Sequence, residues 1–196
     1  PPREDLIEPR FRALMQATGL SIHIGGQIAF YRPADDAIVL PPPQSFHEPV
    51  NFHRTAAHEM SHATGHASRL ARDFTNRYGS EGYAREELVA EISAAYVCAS
   101  LGIVPTVRHA DYIGSWLQVL REDNRAIVRA ASQASKAADW LLGFLPDADL
   151  GPLDADGHQI WSLEEREAIE RAISASDYAQ GIAEAEADIA AGRLHT

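Results

Sequence analysis

The chain has 196 residues, 45% hydrophobic and 23% charged, which is typical of one globular domain with a small extension and excludes wholesale disorder. Its 17 basic and 28 acidic residues give a formal net charge of −11, and this disfavours nucleic-acid binding, which draws on basic groups facing phosphates. The single Cys98 excludes an internal disulfide, and no apolar run reaches the ~20 residues of a membrane span, so we expect a cytoplasmic protein without membrane contact.

The first fifty residues predict one helix followed by short strands. The helix covers about residues 5–18, with Pro9 able to delay its start and Gly19 as a natural stop. Three strands follow, at 21–24, 27–31 and 37–40. The first two flank Gly25-Gly26, a pair that predicts a hairpin turn between them.

The rest of the chain predicts helices. In the first 145 residues they cover about 50–64, 84–101, 110–121 and 125–145, and in the tail about 162–174 and 177–191. Strands and helices that are segregated along the chain indicate an α+β fold, here mostly helical with a short antiparallel sheet before the second helix. We expect one domain over 1–145 and an acidic helical extension over 146–196 that packs on it or trails from it.

The strongest motif is the H-E-x-x-H run from His58 to His62, inside the second predicted helix. Side chains four residues apart share a helix face, so both imidazoles can bind one divalent ion. Glu59 is adjacent to the first ligand and off the metal face, where it can take a proton from the attacking water. The uncharged residues on both sides of the motif are typical of a buried metal-binding helix.

A third protein ligand is needed, and the next helix offers it. Around the axis of this helix, Glu87 and Glu91 lie within about 60° of arc together with small residues. The small side chains let another helix approach this face closely. We assign Glu87 as the third ligand and Glu91 as an acceptor for the N–H of a ligand imidazole; the exchanged assignment is the alternative. Glu86 lies off this face and is interpreted as a solvated helix charge.

Other histidines and tyrosines outside the H-E-x-x-H motif could serve the site as a ligand or as a proton donor. The longer pattern H-E-x-x-H-x-x-G-x-x-H fails because Ser68 takes the place of its last histidine, and His66 follows the helix stop, where its direction is open. A proton donor to an oxyanion could come from a tyrosine or histidine outside the motif. The candidates are Tyr78, Tyr83, His109 and Tyr112.

Several blocks of sequence, in order, resemble a known family. They include Ala29-Phe30-Tyr31, His58-Glu59-x-x-His62-x-Thr64-Gly65-His66, Arg69-Leu70-x-Arg72, Tyr83-Ala84-Arg85-Glu86-Glu87-Leu88-Val89-Ala90-Glu91 and Ala137-Ala138-Asp139-Trp140. Over about residues 20–145 the chain is similar to the C-terminal zincin-type metallopeptidase domain of ArdC-like antirestriction proteins, also found in TraC-type plasmid primases and polyvalent phage proteins.

The resemblance implies a zincin-like peptidase associated with mobile DNA, which enters a recipient cell with incoming DNA and blunts restriction. We expect a zinc ion, with manganese or another divalent ion as the alternative, and a protein or peptide substrate. In that family an N-terminal domain binds single-stranded DNA, but the first 20 residues here are too short for it and hold no aromatic and basic platform, so we expect no direct nucleic-acid binding from this chain alone. The sequence does not indicate an oligomeric state.

A rival interpretation comes from the charge of the tail. From Pro146 onward the chain has twelve acidic residues and only three arginines. A non-catalytic protein could use a structural metal for stability and this acidic tail as a DNA-mimicking decoy for a restriction enzyme. An open coordination position would favour the enzyme, because structural zinc sites are closed by four protein ligands.

Overall fold

A computed structural model describes residues 1–73, 81–104 and 125–146. These residues form four helices and three strands, with 3-10 turns at Glu4–Leu6 and Pro43–Ser45. The helices are α1 (Pro9–Ala17), α2 (Val50–Thr64), α3 (Glu81–Ser100) and α4 (Ala126–Leu142); the strands are β1 (Ser21–Ile24), β2 (Phe30–Arg32) and β3 (Ala37–Leu40). The mostly helical α+β fold is confirmed. The helices predicted at 110–121 and in the extension lie outside the described residues.

Helix α1 starts later than the apolar pattern alone predicts, because Pro9 fits the first turn of a helix but not its interior. Glu8 caps the helix, since its carboxylate accepts a hydrogen bond of 2.9 Å from the backbone N–H of Phe11. Gly19 follows the last turn with a φ of 65°, a left-handed conformation that favours glycine. Phe11 and Leu14 on the inner face of α1 are fully buried.

The sheet is mixed, and the predicted hairpin between the first two strands is wrong. The strand order is β1-β3-β2, with β1 parallel and β2 antiparallel to β3. Ile22 pairs with Ile38 on one side of β3, and Tyr31 pairs with Ile38 on the other side. The hairpin therefore joins β2 and β3 through residues 33–36, and β2 begins three residues later than predicted.

The two consecutive glycines have another role than a hairpin turn. The N–H groups of Gly25 and Gly26 both donate to the carbonyl of Leu40, at 2.9 and 3.2 Å, so they hold the end of β1 against β3. A Cβ at Gly26 would lie 2.6 Å from a methyl group of Val39. Glycine is therefore required here for close approach to the neighbouring strand.

Helix α2 lies at the centre of the described fold, between the sheet and helices α3 and α4. Its face toward α3 carries small side chains, and Ser61 Oγ lies 2.9 Å from Ser93 Oγ across the helix pair. Ala90 and Ala94 of α3 are fully buried, so the two helices approach closely, as the small-residue stripe predicts. Among the helices described, none is long and apolar enough to cross a membrane.

Candidate metal centre

Three side chains from α2 and α3 meet in one buried cluster. The Nε2 atoms of His58 and His62 are 3.0 Å apart, and each lies 3.4 Å from a carboxylate oxygen of Glu87. A tetrahedral ion with ligands at 2.0–2.1 Å keeps its donors about 3.3–3.4 Å apart. Two imidazole nitrogens and a carboxylate at this spacing fit a zinc-type divalent ion.

Glu59 lies beside this cluster without belonging to it. Its side chain is buried, and it accepts a hydrogen bond from the backbone N–H of Tyr31 in β2. Burial raises the pKa of Glu59, although the neighbouring imidazoles oppose the shift. A carboxylate held at a fixed place with a raised pKa is suited to accept a proton near neutral pH.

Each imidazole faces a carboxylate through its other nitrogen, and on the His58 side the carboxylate is the predicted one. Glu91 Oε1 lies 3.2 Å from Nδ1 of His58. The second oxygen of Glu91 pairs with the guanidinium of Arg54, one turn before the motif in α2. This approach is consistent with a supporting role of Glu91 toward His58, which stays a prediction.

The carboxylate on the His62 side is Glu86, and its interpretation as a solvated helix charge is wrong. Nδ1 of His62 lies 3.1 Å from Oε1 of Glu86, whose side chain is only 11% exposed. Arg72 donates two hydrogen bonds to Glu86, of 2.9 and 2.8 Å. Helical spacing places Glu86 on a different face of α3 from Glu87. Both of these faces are nevertheless covered, by α2 and by the segment that follows it, so the side chain of Glu86 is largely buried as well.

The electrostatics of the cluster favour a cation. Burial disfavours the charged imidazole, yet Glu87 and Glu91 raise the pKa of His58 to about 10. Burial opposes the ionised form of Glu87 as well, but His58 and His62 hold the pKa of its carboxyl well below the ordinary range. With both imidazoles neutral, as metal ligands must be, four carboxylates and two guanidiniums leave an excess of two negative charges, which matches a divalent ion.

A second polar network ties the sheet to the end of α2, and the sequence assigned it no role. Arg69 forms a two-pronged ion pair with Asp36 and donates to the carbonyl of Ala63, at 2.7 Å. The hydroxyl of Tyr31 donates to Asp36 at 2.9 Å. Because the backbone of Tyr31 also holds Glu59, this network fixes β2 beside the metal cluster.

The remaining candidates divide between described and undescribed residues. Nδ1 of His66 faces Ser68 at 2.8 Å and lies 3.9 Å from Asp36, so the structure does not bring it into the metal cluster. Tyr83 lies on α3, one turn before Glu87. The other proposed proton donors, Tyr78, His109 and Tyr112, lie outside the described residues.

Comparison with known proteins shows what the chain is similar to. The profile of the MPTase-PolyVal family, a zincin-like metallopeptidase, matches residues 9–133. The DNA primase TraC of Escherichia coli is 44% identical over 137 residues, which are 69% of this chain and 10% of the primase. Protein y4eC of Sinorhizobium fredii is 40% identical over 149 residues, which are 75% of this chain and 48% of that protein.

Solved structures give the same result. The antirestriction protein ArdC from plasmid R388, in its Mn(II)-bound form, matches with a TM-score of 0.64 at 41% identity, over 70% of this chain and 52% of ArdC. Its metal-free form matches with a TM-score of 0.62. The resemblance seen in the sequence is confirmed, and the chain spans about half or less of each of these relatives.

Proposed function

This chain belongs to the zincin-like metallopeptidase family, and from that membership we propose that it is a divalent-metal-dependent peptidase acting on a protein or peptide substrate. One observation carries the proposal: three donors at the spacing of a zinc-type site have a buried carboxylate, Glu59, beside them that is not one of the three. A structural site needs no such base, whereas hydrolysis does.

The proposed ligands are His58, His62 and Glu87, and the proposed ion is zinc. Manganese is the alternative, supported by the Mn(II)-bound form of ArdC. When bound, such an ion supplies Lewis-acid polarisation of the substrate carbonyl and lowers the pKa of water. Three protein donors leave a fourth position for chemistry, as in catalytic rather than structural zinc sites.

Glu59 is the proposed general base. It takes a proton from the water that attacks the peptide carbonyl and then gives a proton to the nitrogen of the departing amine, so the C–N bond breaks with balanced charge. The hydrogen bond from the backbone of Tyr31 keeps the carboxylate in place through both transfers. The burial that raises its pKa makes it a stronger base than an exposed glutamate.

The biological setting is inferred from the relatives. ArdC is an antirestriction protein of a plasmid and TraC is a DNA primase, so we propose that this peptidase acts with mobile DNA, in the cytoplasm, during antirestriction. A second candidate, the non-catalytic decoy, is favoured by the twelve acidic residues that follow Pro146. The two candidates differ in which part of the chain is needed.

The test combines metal analysis with a peptide library. We expect the purified protein to hold one divalent ion, to cleave peptides, to lose cleavage on chelation and to regain it with zinc or manganese. Glu59→Gln should keep the ion and lower the rate about 10²–10⁴-fold. An undiminished rate in Glu59→Gln, or wild-type protein that takes up no stoichiometric ion, would contradict the proposal.

A further inference from the structure

Glu86 lies between one proposed metal ligand and an arginine that comes from outside both metal helices. Its Oε1 is 3.1 Å from Nδ1 of His62, and both of its oxygens accept hydrogen bonds from Arg72. The side chains of Glu86 and Arg72 are 11% and 8% exposed, so water competes little for these bonds. A buried carboxylate that is hydrogen-bonded in this way is unlike a solvated helix charge.

We propose that Glu86 is a positioning residue for His62, and that Arg72 acts through Glu86 to hold that imidazole toward the metal. The inference rests on the proposed function only in that the site binds a divalent ion. Glu86 accepts the Nδ1–H of His62, which fixes the tautomer that leaves Nε2 free as a ligand. A ligand imidazole held in this way loses less freedom when the ion binds.

Arg72 is built into the end of α2 as well as paired with Glu86. It donates to Oγ1 of Thr64 at 2.8 Å and to the carbonyl of Ser61 at 2.7 Å. The chain returns to this place because Ala71 adopts a left-handed φ of 50° and the N–H of Arg72 donates to the carbonyl of Gly65. One guanidinium thus ties the helix that carries His62 to the carboxylate that orients it.

The two imidazoles have separate supports, so neither carboxylate can replace the other. Glu91 with Arg54 faces His58, and Glu86 with Arg72 faces His62. Each is a chain of arginine, glutamate and histidine that ends at the proposed metal site. Loss of Glu86 should therefore leave His62 unsupported even when Glu91 is intact.

The experiment measures metal binding rather than catalysis. Zinc affinity is determined by competition with a chromophoric chelator, and the visible spectrum of the cobalt(II)-loaded protein reports coordination geometry. We expect Glu86→Gln, which keeps the shape of the side chain, to weaken zinc binding about 10–100-fold and to change the cobalt spectrum. Arg72→Ala should also weaken zinc binding and change the spectrum. Arg72→Lys should retain part of the zinc affinity, because lysine keeps the positive charge but cannot make the two parallel hydrogen bonds of a guanidinium.

Arg69→Ala is the matched control. Arg69 also forms a two-pronged pair with an acid and donates to a carbonyl of α2, but its acid partner, Asp36, faces none of the three proposed ligands. Arg69→Ala should lower stability and keep zinc affinity within about twofold of wild type, well below the roughly 10–100-fold loss expected for a lost supporting group. In a Glu86→Gln background, Arg72→Ala should cost little further affinity, because coupled residues are not additive.

The outcomes separate this inference from the proposed function. Wild-type affinity and an unchanged cobalt spectrum in both Glu86→Gln and Glu86→Ala would overturn the inference alone. If Glu86→Ala fails to fold, Glu86→Gln decides. Equal losses in Arg69→Ala and Arg72→Ala would show a general effect of stability and also overturn it. Wild-type protein that binds no divalent ion would overturn both.

Discussion

Glu87 and Glu91 stand one turn apart on α3, yet they contact the paired imidazoles at different nitrogens. Glu87 reaches both Nε2 atoms at 3.4 Å, whereas Glu91 lies 3.2 Å from Nδ1 of His58 and also pairs with Arg54. One nitrogen of His58 therefore faces Glu87 and the other faces Glu91. The geometry therefore favours Glu87 as the ligand over the exchanged assignment.

This difference predicts unequal losses of metal affinity. Glu91→Ala should weaken zinc binding about 10–100-fold, as loss of a supporting group does, while Glu87→Ala should cost more because a ligand itself is gone. Competition titration of the folded variants measures both losses. If Glu91→Ala empties the site while Glu87→Ala remains full, the two roles are reversed.

The site residues that spacing reveals are those whose partners lie on regular helices. The i, i+4 spacing of His58 and His62, and the same spacing of Glu87 and Glu91, follow from helical geometry alone. Glu86 was not found in this way, although it contacts His62 on α2, because the guanidinium that holds it in this buried place belongs to Arg72, in an irregular segment. That segment turns back on α2 through a left-handed residue, and no periodic pattern encodes such a turn.

At the scale of helices, the α2–α3 contact depends on small side chains. Ala94 of α3 is fully buried in the same hydrophobic cluster as Ala56 and Ala57 of α2, whereas its neighbour Ala95 is exposed. The carboxylates Glu87 and Glu91 belong to the same helix, so a change in helix spacing moves them relative to His58 and His62. Close packing and metal geometry are therefore coupled.

Matched leucine substitutions test this coupling. Ala94→Leu should lower the free energy of unfolding by about 1–3 kcal/mol through overpacking, and should also weaken zinc binding. Ala95→Leu adds the same atoms on the exposed face and should change stability by less than about 0.5 kcal/mol. Denaturant unfolding and zinc titration of both variants measure the effects. Equal behaviour of the two variants would argue against a tight interface.

His53 joins α1 to α2 in its neutral form. Its Nε2 accepts the backbone N–H of Glu8 at 2.8 Å, and its Nδ1 lies 3.0 Å from the carbonyl of Val50. The ring packs edge-on against Phe11 and Phe52. Burial lowers the pKa of His53 because it disfavours the charged imidazolium, and the carbonyl of Val50 and the charge of Glu8 offset this only in part. Protonation of Nε2 would also remove the acceptor for the N–H of Glu8.

A pH-dependent loss of stability follows from this arrangement. The pKa of His53 is lower in the folded chain than the ~6.5 of an unfolded histidine, so its contribution is complete above that pH and declines as pH falls. The stability advantage of wild type over His53→Gln should shrink below pH 6.5, by about the 0.5–1.5 kcal/mol of one hydrogen bond. Urea unfolding between pH 5 and 8 measures the difference, in which contributions common to both proteins cancel. A constant difference would refute the neutral role.

The strands show why element positions were easier to predict than their pairing. Residues 21–24 and 37–40 form strands with the predicted bounds, because β-branched and apolar residues there end at glycines and prolines. A Gly-Gly pair favours a hairpin locally. In the structure, however, a Cβ at position 26 would lie too close to Val39 of β3. The glycine here therefore serves packing against a strand distant in sequence rather than a local turn.

At the scale of the whole molecule, charge divides the chain between two candidate functions. Residues 1–145 carry a net charge of only −2, while 146–196 carry −9, by the count of Asp, Glu, Arg and Lys. Every proposed ligand and supporting residue of the metal site lies before residue 92. A peptidase needs this first part, whereas a decoy needs the charge of the second.

The last prediction separates the two with one pair of variants, Glu59→Gln and a chain ending at Pro146. For a peptidase, Glu59→Gln should abolish protection of incoming unmodified DNA in cells, whereas the truncated protein should keep its ion and its cleavage of peptides. For a decoy, the truncation should remove protection, and binding to its target should weaken steeply with salt, because screening shortens the reach of exposed charges to about 10 Å at 0.1 M. Protection that survives Glu59→Gln but not truncation would contradict the peptidase as the source of the biological effect, since the base is then dispensable and the acidic tail is not.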